Sequence, residues 1–160
     1  MSALIVICGL SFAGKSTLAK ALTTRFGYEE VDVDEVGAKM HNLDINDRAL
    51  NDCDSDEIYD EADRPIESRL RSGVTVVDAS RNPTREERAR AREVAPRAHV
   101  RLLTIFVDTP EQVARQRRQN NQVTKARRDL SDDQFEEFNR VFQPPAEEER
   151  ALVFRSGGRD

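Results

Sequence analysis

At 160 residues, the chain has room for one well-packed domain and little room for two. Hydrophobic residues make up 38% of it and charged residues 34%, with no apolar run long enough to span a membrane and only 2 cysteines, so we expect a cytoplasmic protein without a membrane partner or a disulfide framework. The net charge of −5 argues against general binding of nucleic acid.

The chain begins with the pattern of a strand, a glycine-rich loop and a helix. Residues 3–8 are all apolar, which is typical of a strand buried on both faces, and residues 16–22 carry apolar side chains at helical spacing. Between them, Gly9 to Ser16 follow G-x-x-x-x-G-K-S, the Walker A pattern. In this setting the pattern predicts a phosphate-binding loop.

Each loop residue has a predicted role. Glycine at both ends lets successive backbone N–H groups converge on phosphate oxygens, and the following helix directs its positive end to the same place. Lys15 would act in catalysis by reaching the β- and γ-phosphates, and the Ser16 hydroxyl would ligate Mg²⁺. The residues predicted to bind the nucleotide are Gly9, Ser11, Ala13, Gly14, Lys15, Ser16 and Thr17.

Acidic residues end the next predicted strand. Val31 and Val33 alternate with acids in residues 29–34, which predicts a short strand that ends in Asp32 and Asp34. Ligands of doubly wound sheets bind beyond the carboxyl ends of the strands, so both carboxylates are predicted to contact the substrate. Asp34 is the first candidate and Asp32 the second for the base that takes the proton of an acceptor hydroxyl. A helix N-cap would also explain an acid at position 34.

The middle of the chain continues the alternation of helices and strands. We expect a short helix and a loop over 35–55, a helix over 56–71 that Pro65 breaks or kinks, and a buried strand over 74–78. The strand ends in Asp78, the predicted Mg²⁺ carboxylate, and Arg81 after it is a candidate substrate contact. Thr84 and Glu87 have the spacing of a capping box, which predicts a helix over 84–95.

A strand over 100–107 precedes a helix whose first position is predicted at Pro110. Residues 115–128 then hold six basic side chains, and we predict a basic lid over about 115–130 that closes on the phosphates. Arg115 and Arg118 are the candidate catalytic arginines because they share a helix face, with Arg117 and Arg127 as further candidates. A solvated helix face is the competing interpretation.

An amphipathic helix over 129–141 and a short strand over 151–154 complete the pattern. Strands that alternate with helices predict one α/β domain over residues 1–160: a P-loop NTPase of three α/β/α layers, with a mostly parallel five-stranded sheet.

The chain resembles the small P-loop kinases of the AAA-domain kinase group, which are related to polynucleotide kinase, zeta toxin, gluconate kinase and chloramphenicol phosphotransferase. The resemblance spans roughly residues 3–145 and rests on G-x-x-x-x-G-K-S-T-L-A, V-D-V-D, V-V-D-A-S-R-N-P-T-R-E-E-R and D-T-P-E-x-x-x-x-R-x-x-Q-N-N. It implies that Asp34 activates the acceptor hydroxyl, that Asp78 is the third-strand acid, and that Arg115 or Arg118 is a lid arginine. Lys15 and Ser16 match the groups that hold phosphate and Mg²⁺.

One departure from the group bears on the acceptor. Polynucleotide kinase and zeta toxin members carry an arginine a few residues after the activating acid, and residues 35–38 of this chain supply none. Residues 40–70 are also acidic, which favours a neutral or cationic acceptor over a phosphate-rich one.

We therefore expect a kinase that uses ATP and Mg²⁺ to phosphorylate a hydroxyl group of a small molecule. Two other enzymes fit less well: a polynucleotide 5′-hydroxyl kinase with residues 115–128 as a basic track, and a nucleoside monophosphate kinase. The alternative outside enzymology is an ATP-binding switch protein that transfers no phosphate.

Overall fold

One parallel sheet organises the chain. The computed structural model describes residues 1–45, 53–79 and 82–156. In these ranges the strands are β1 (Ala3–Cys8), β2 (Glu29–Glu30), β3 (Val76–Asp78), β4 (Arg101–Asp108) and β5 (Leu152–Arg155). Their order in the sheet is β2-β3-β1-β4-β5, and every neighbouring pair is parallel. The predicted α/β fold with a five-stranded sheet is confirmed.

Helices connect the strands and cover both faces of the sheet. They are α1 (Lys15–Phe26), α2 (Val33–His41), α3 (Ser55–Arg71), α4 (Arg85–Arg97), α5 (Glu111–Thr124) and α6 (Asp132–Val141), with a 3₁₀ turn at Glu147–Glu149. None of the helices in the described ranges is long and apolar enough to cross a membrane.

The central strand β1 explains why three layers form. Its residues are apolar without a break, so both of its faces need cover. Leu4 and Val6 pack in one cluster with apolar residues of α3 and α4. Ile5 and Ile7 pack on the opposite face in a cluster that includes Ala19 of α1.

The second strand is shorter than predicted. β2 ends at Glu30, and the side chain of Asp32 caps α2 by accepting hydrogen bonds from the backbone N–H groups of Asp34 (2.8 Å) and Glu35 (3.4 Å). Val31 and Val33 are both buried, one before this cap and one after it. The strand predicted over 29–34 is therefore wrong beyond residue 30, because the alternation of valines continues across a strand–helix junction.

Helix α3 continues through Pro65, so the predicted break is wrong, and a kink at this residue stays a prediction. A proline inside a helix removes one backbone hydrogen bond. Ile58, Ala62, Ile66 and Leu70 are all buried at helical spacing on both sides of it. This apolar stripe holds the helix against the rest of the protein.

Two helix starts test the predicted caps. The capping box of α4 is present, with the Thr84 side chain accepting from the Glu87 N–H and the Glu87 side chain accepting from the Thr84 N–H. Pro110 is the N-cap of α5 and not its first helical residue, so that prediction is wrong by one position. A proline at either place leaves no helical hydrogen bond unmade.

Candidate active site

The phosphate loop runs from the end of β1 to the start of α1, and its two motif glycines have positive φ angles. Gly9 has a φ of +153°, and a Cβ atom there would lie 2.7 Å from the carbonyl oxygen of Val107. Gly14 has a φ of +107° and is the N-cap of α1. A side chain at Gly9 would collide with the neighbouring strand β4, and both φ angles favour glycine.

Lys15 folds back over this loop. Its Nζ donates hydrogen bonds to the carbonyl oxygens of Gly9 (3.0 Å) and Leu10 (2.8 Å). Burial and, next, the positive charge of Arg127 lower the pKa of Lys15 to about 8. An anion bound beside this ammonium group would favour its charged form and raise the pKa again.

A cavity of about 590 Å³ opens in front of the loop, and we call it the main cavity because it contains both Lys15 and Asp34. Its lining comes from the loop and α1 (residues 11–17 and Lys20), from α2 and the chain after it (Asp32, Asp34, Ile45), from Ala79, and from lid residues and α6 (Ala126, Arg127, Arg128, Leu130, Phe138). Of the residues predicted to bind the nucleotide, all except Gly9 line this cavity.

Other contacts occupy part of the loop backbone. The Ser11 N–H donates to Oδ1 of Asn139 in α6 (3.0 Å). The Ala13 carbonyl accepts from the Thr109 hydroxyl (2.9 Å) and from Nη1 of Arg117 (2.7 Å). Polar groups therefore attach the loop to α5, to α6 and to Thr109 just after β4, and the Walker pattern predicts none of these contacts.

Asp32 and Asp34 have different roles although both line the main cavity. Asp32 is the N-cap, so Asp34 in the first turn of α2 is not needed to cap the helix. Burial and the charge of Asp34 raise the pKa of Asp32, although its two hydrogen bonds from backbone N–H groups act the other way. Asp34 lies with its Oδ2 3.9 Å from Nη1 of Arg128.

Asp78 ends β3 but does not line the main cavity. Its side chain is buried and, together with Asn82, borders a pocket of about 10 Å³ that is lined mainly by α3 and α4. The next residue, Ala79, is the one that lines the main cavity. Asp78 as a metal ligand stays a prediction, and the predicted substrate contact Arg81 lies outside the described residues.

The described residues contain no group of three His, Cys, Asp or Glu side chains that could hold a metal ion. Mg²⁺ bound with a nucleotide takes most of its oxygen ligands from phosphates and water, so one hydroxyl and one carboxylate are enough. Ser16 is exposed in the first turn of α1, and Asp78 supplies an oxygen donor one residue from the cavity. These donors fit Mg²⁺ in chemical type.

The two predicted lid arginines lie away from the main cavity. Arg115 pairs with Glu111 and Glu136, and Arg118 donates to Asp132 (2.7 Å) and to the Leu130 carbonyl (2.7 Å). Both guanidinium groups also lie over the Phe135 ring, 5.3 and 5.0 Å from its centroid. These arginines connect α5 to α6 because carboxylates of both helices lie within their reach.

Arg127 and Arg128 line the cavity instead. They belong to the lid loop, residues 125–131 between α5 and α6. Arg127 was a secondary candidate in the sequence and Arg128 was missed, since nothing in the spacing of the basic run distinguishes them. Phe12 was also missed, because it occupies a variable position of the Walker pattern.

The acidic stretch before residue 70 has a structural explanation in α3. Arg90 of α4 pairs with Asp56 (3.1 Å) and contacts Asp60 and Asp63, and Arg97 pairs with Asp63 (3.2 Å) and Glu67 (3.3 Å). These carboxylates face a helix of arginines, and none of them lines the main cavity. These four carboxylates are therefore no guide to the acceptor, and the preference for a neutral or cationic molecule stays a prediction.

A second cavity, of about 730 Å³, also borders the loop. It shares Phe12, Gly14, Thr17, Ala126 and Arg127 with the main cavity. Its remaining lining comes from α1, α5 and the end of β5: Leu18, Ala21, Arg117, Asn120, Asn121, Thr124, Phe154 and Ser156. The two cavities meet where α1 begins.

Comparison with known families decides where the chain belongs. A family profile described as AAA domain matches residues 4–145. The chain belongs to this AAA-domain family. No curated protein sequence matches the chain significantly.

Solved structures with the same fold are kinases by description. The AAA-domain chain aligns over 97% of its length with 84% of a candidate kinase from Chloroflexus aurantiacus (TM-score 0.69, 18% identity). It aligns over 96% with 88% of the Mycobacterium tuberculosis APS kinase in complex with AMPPNP and APS (TM-score 0.61, 20% identity). It aligns over 96% with 82% of a gluconokinase from Sinorhizobium meliloti (TM-score 0.65, 21% identity). The protein thus has the P-loop fold of small kinases.

Proposed function

We propose that this AAA-domain protein is a kinase that uses ATP and Mg²⁺ to phosphorylate a hydroxyl group of a small-molecule acceptor. One observation carries the proposal: Lys15 of the phosphate loop, the carboxylate of Asp34 and the guanidinium of Arg127 line one cavity. Phosphoryl transfer depends mainly on positioning and on neutralising charge, and these three groups supply the cations and the base that it needs.

The two cavities suggest how the nucleotide lies. The residues they share, Gly14 and Thr17 among them, are where a triphosphate would rest against the helix N-terminus. The adenine of ATP would then occupy the second cavity, and the main cavity would hold the acceptor. The APS kinase of similar fold, solved with AMPPNP and APS, supports a nucleotide and a small acceptor in such a site. Ser16 and Asp78 would hold Mg²⁺, which when bound neutralises charge on the phosphate oxygens.

Asp34 is the proposed base. Asp32 already caps α2, and the N-terminus of that helix stabilises the negative charge of Asp34 in its first turn. Asp34 would accept the proton of the acceptor hydroxyl. At the same time the hydroxyl oxygen would form a bond to the γ-phosphorus, and the bond between the γ-phosphorus and the leaving oxygen of ADP would break. Lys15 and Arg127 would bind the phosphoryl oxygens during this step.

The charges around the cavity favour a small anionic acceptor over a polynucleotide. Arg115 and Arg118 are paired with carboxylates, which interrupts the basic track that a nucleic-acid strand would need. Arg128 lies next to Asp34 and would meet a carboxylate or phosphate of the acceptor, so the lid loop supplies the cation that residues 35–38 lack.

Transfer of labelled γ-phosphate tests the proposal. Mg-ATP labelled at the γ-phosphate is offered to hydroxy acids, sugar phosphates, neutral sugars, aminoglycosides, nucleosides and 5′-hydroxyl oligonucleotides. We expect label on a small anionic acceptor. Label on the oligonucleotide alone would overturn the small-molecule assignment, and ATP binding with no transfer to any acceptor would favour the switch protein.

A matched pair of variants tests the base. Asp34→Asn should lower kcat by about 10²–10⁴-fold, the usual effect of losing a positioned base. Asp32→Asn is the control, since asparagine is also a good N-cap and only the charge is lost. If Asp32→Asn had the larger effect on kcat, Asp32 would be the base.

A further inference from the structure

The side chain of Asn121 fixes the backbone of Arg127. Asn121 lies near the end of α5 and is 5% exposed, and its Nδ2 donates to the Arg127 carbonyl (3.1 Å) while its Oδ1 accepts from the Arg127 N–H (3.0 Å). Between the two residues, Lys125 ends the helix with a φ of +50°. One buried amide therefore satisfies both backbone groups of the residue that enters the cavity.

The side chain of Arg127 rests on the phosphate loop. Its guanidinium carbon lies 4.4 Å from the centroid of the Phe12 ring, which is close enough for a cation–π interaction. Phe12 is 4% exposed and contacts Phe135 of α6 edge to face, with the ring centroids 6.1 Å apart. Its φ of +62° is rare for an aromatic residue, and such strained backbone is found most often at functional sites.

This arrangement holds two cations on one cavity. Lys15 and Arg127 both line it, and the positive charge of Arg127 disfavours the protonated form of Lys15. In the described part of the chain, no carboxylate lies within ion-pair distance of the Arg127 guanidinium. Two such cations repel each other, and the charge of Asp129 offsets part of that repulsion at Arg127. The contacts to Asn121 and Phe12 add to this and fix where the guanidinium lies. A phosphoryl group between the cations would remove the repulsion.

We propose that Asn121 and Phe12 are positioning residues that hold the guanidinium of Arg127 over the phosphate loop, where it meets the phosphoryl group in transfer. The inference rests on the proposed function and adds two residues to it that act through Arg127 and take no proton. Their effect is preorganisation: the cation is placed when the protein folds, so little rearrangement is needed when charge develops in the transition state.

A double-mutant cycle on kcat tests the proposal. Asn121→Ala should lower kcat by about a hundredfold, because displacing a catalytic group by about 1 Å has an effect of this size. The change in the KM for ATP should be smaller, although Asn121 also borders the second cavity. In the Arg127→Ala background the same substitution should change kcat by less than about twofold, since Asn121 acts through Arg127. The exposed neighbour Gln122→Ala is the control on the same helix.

Equal losses in both backgrounds, or a folded Asn121→Ala variant with unchanged kcat, would overturn the proposal. Phe12→Leu is the second variant, which keeps an apolar contact with Phe135 but removes the ring face beneath the guanidinium, and it should also lose kcat only where Arg127 is present. This variant decides the question if Asn121→Ala does not fold.

A binding readout separates this inference from the proposed function. Aluminium fluoride with Mg-ADP mimics the phosphoryl group in transfer, and a water molecule can take the place of the acceptor oxygen. We expect wild-type protein to bind this mixture more tightly than Mg-ADP alone, and Asn121→Ala to lose the difference. If the wild type transfers phosphate to no acceptor yet shows this dependence on Asn121, the proposed function fails and the positioning role stands. Equal gains in wild type and variant would overturn the positioning role.

Discussion

The arginines of α4 and those of the lid loop differ in what lies within their reach. Arg88 of α4 is 1% exposed and forms a two-pronged ion pair with Glu149, with distances of 2.8 and 3.0 Å, while it also donates to the Asn82 carbonyl (3.0 Å). In the lid loop, Arg128 is 3.9 Å from Asp34 and Arg127 lies on an aromatic ring. An arginine saturated by carboxylates stabilises the fold, whereas one left facing a cavity is available to a ligand.

The ion pair of Arg88 connects distant parts of the chain. Glu149 lies in the 3₁₀ turn before β5, so the pair attaches the last strand to α4 and to the chain that follows β3. Burial alone would raise the pKa of Glu149, but the hydrogen bonds from Arg88 and the Ala146 N–H lower it on balance. The carboxylate therefore stays ionised, and Arg88 keeps its partner.

The largest expected effect is on kcat, and it should distinguish Arg127 of the lid loop from an arginine that is paired with carboxylates. Arg127→Ala should lower kcat about a thousandfold, a typical loss when an arginine that contacts the transferred phosphoryl group is removed. Arg115→Ala should change kcat little, because its guanidinium lies against Glu111 and Glu136. Phosphoryl transfer at saturating Mg-ATP measures both. A larger loss in Arg115→Ala would reverse the comparison and restore the lid arginine predicted from the sequence.

For the buried arginine of α4, we expect the effect of a substitution on the free energy of unfolding. Glu149→Gln leaves the buried charge of Arg88 without its partner and should reduce the free energy of unfolding by about 3–5 kcal/mol. Urea denaturation measures it, with Glu137→Gln in the exposed Arg140 pair as the control, for which we expect at most about 1 kcal/mol. Equal effects in the two variants would mean that burial does not distinguish these ion pairs.

At the main cavity, we expect the affinity for ATP to depend on pH through Lys15. Lys15 has a pKa of about 8 in the protein without nucleotide. Bound phosphate should raise that pKa, since an opposite charge favours the ammonium form. Above pH 8 the side chain of Lys15 is mostly the neutral amine, which must take up a proton when ATP binds. The Kd for ATP should therefore rise about tenfold per pH unit until the pH reaches the pKa of Lys15 in the ATP complex. Titration calorimetry at pH 7 to 9.5 measures this, with Lys15→Arg as the variant whose Kd should stay flat. A flat wild-type curve would contradict the lowered pKa.

The smallest effect is expected at the surface of α4. Arg97 pairs with Asp63 and Glu67, but its side chain is 45% exposed. Arg97→Ala should therefore lower the free energy of unfolding by no more than about 1 kcal/mol and leave kcat unchanged. A loss as large as that of Glu149→Gln would show that the α3–α4 network acts as one cooperative unit.

The sequence predicts those parts of the molecule whose signals are local. The phosphate loop, the capping box of α4 and the alternation of strands with helices each depend on a few adjacent residues, and the structure confirms the elements they predict. The predicted extent of the second strand was wrong because hydrophobic alternation does not reveal a helix cap. The predicted break at Pro65 was wrong because the tertiary contacts of α3 outweigh one lost hydrogen bond.

The site was harder to predict because carboxylates that are distant in the sequence determine which arginines form ion pairs and which line the cavity. Arg115 meets Glu136 and Arg118 meets Asp132, both on the next helix, and a basic run by itself does not reveal these pairs. Asn121 belongs to a polar helix end, where an amide is usually solvated. Its bonds to Arg127 depend on how the chain reverses at Lys125, which side-chain chemistry alone does not determine.

Gly9 bears on how such proteins diverge. The neighbouring strand β4 leaves no room for a side chain at this position, whatever the loop binds. Selection for a stable fold would therefore preserve Gly9 even in a descendant that binds no nucleotide. On the proposed function, Lys15 and Arg127 would be free to change there. Among homologues of this chain, a surviving first glycine would then be evidence of a common sheet, and the lysine and the lid-loop arginine would be the positions by which to recognise a kinase.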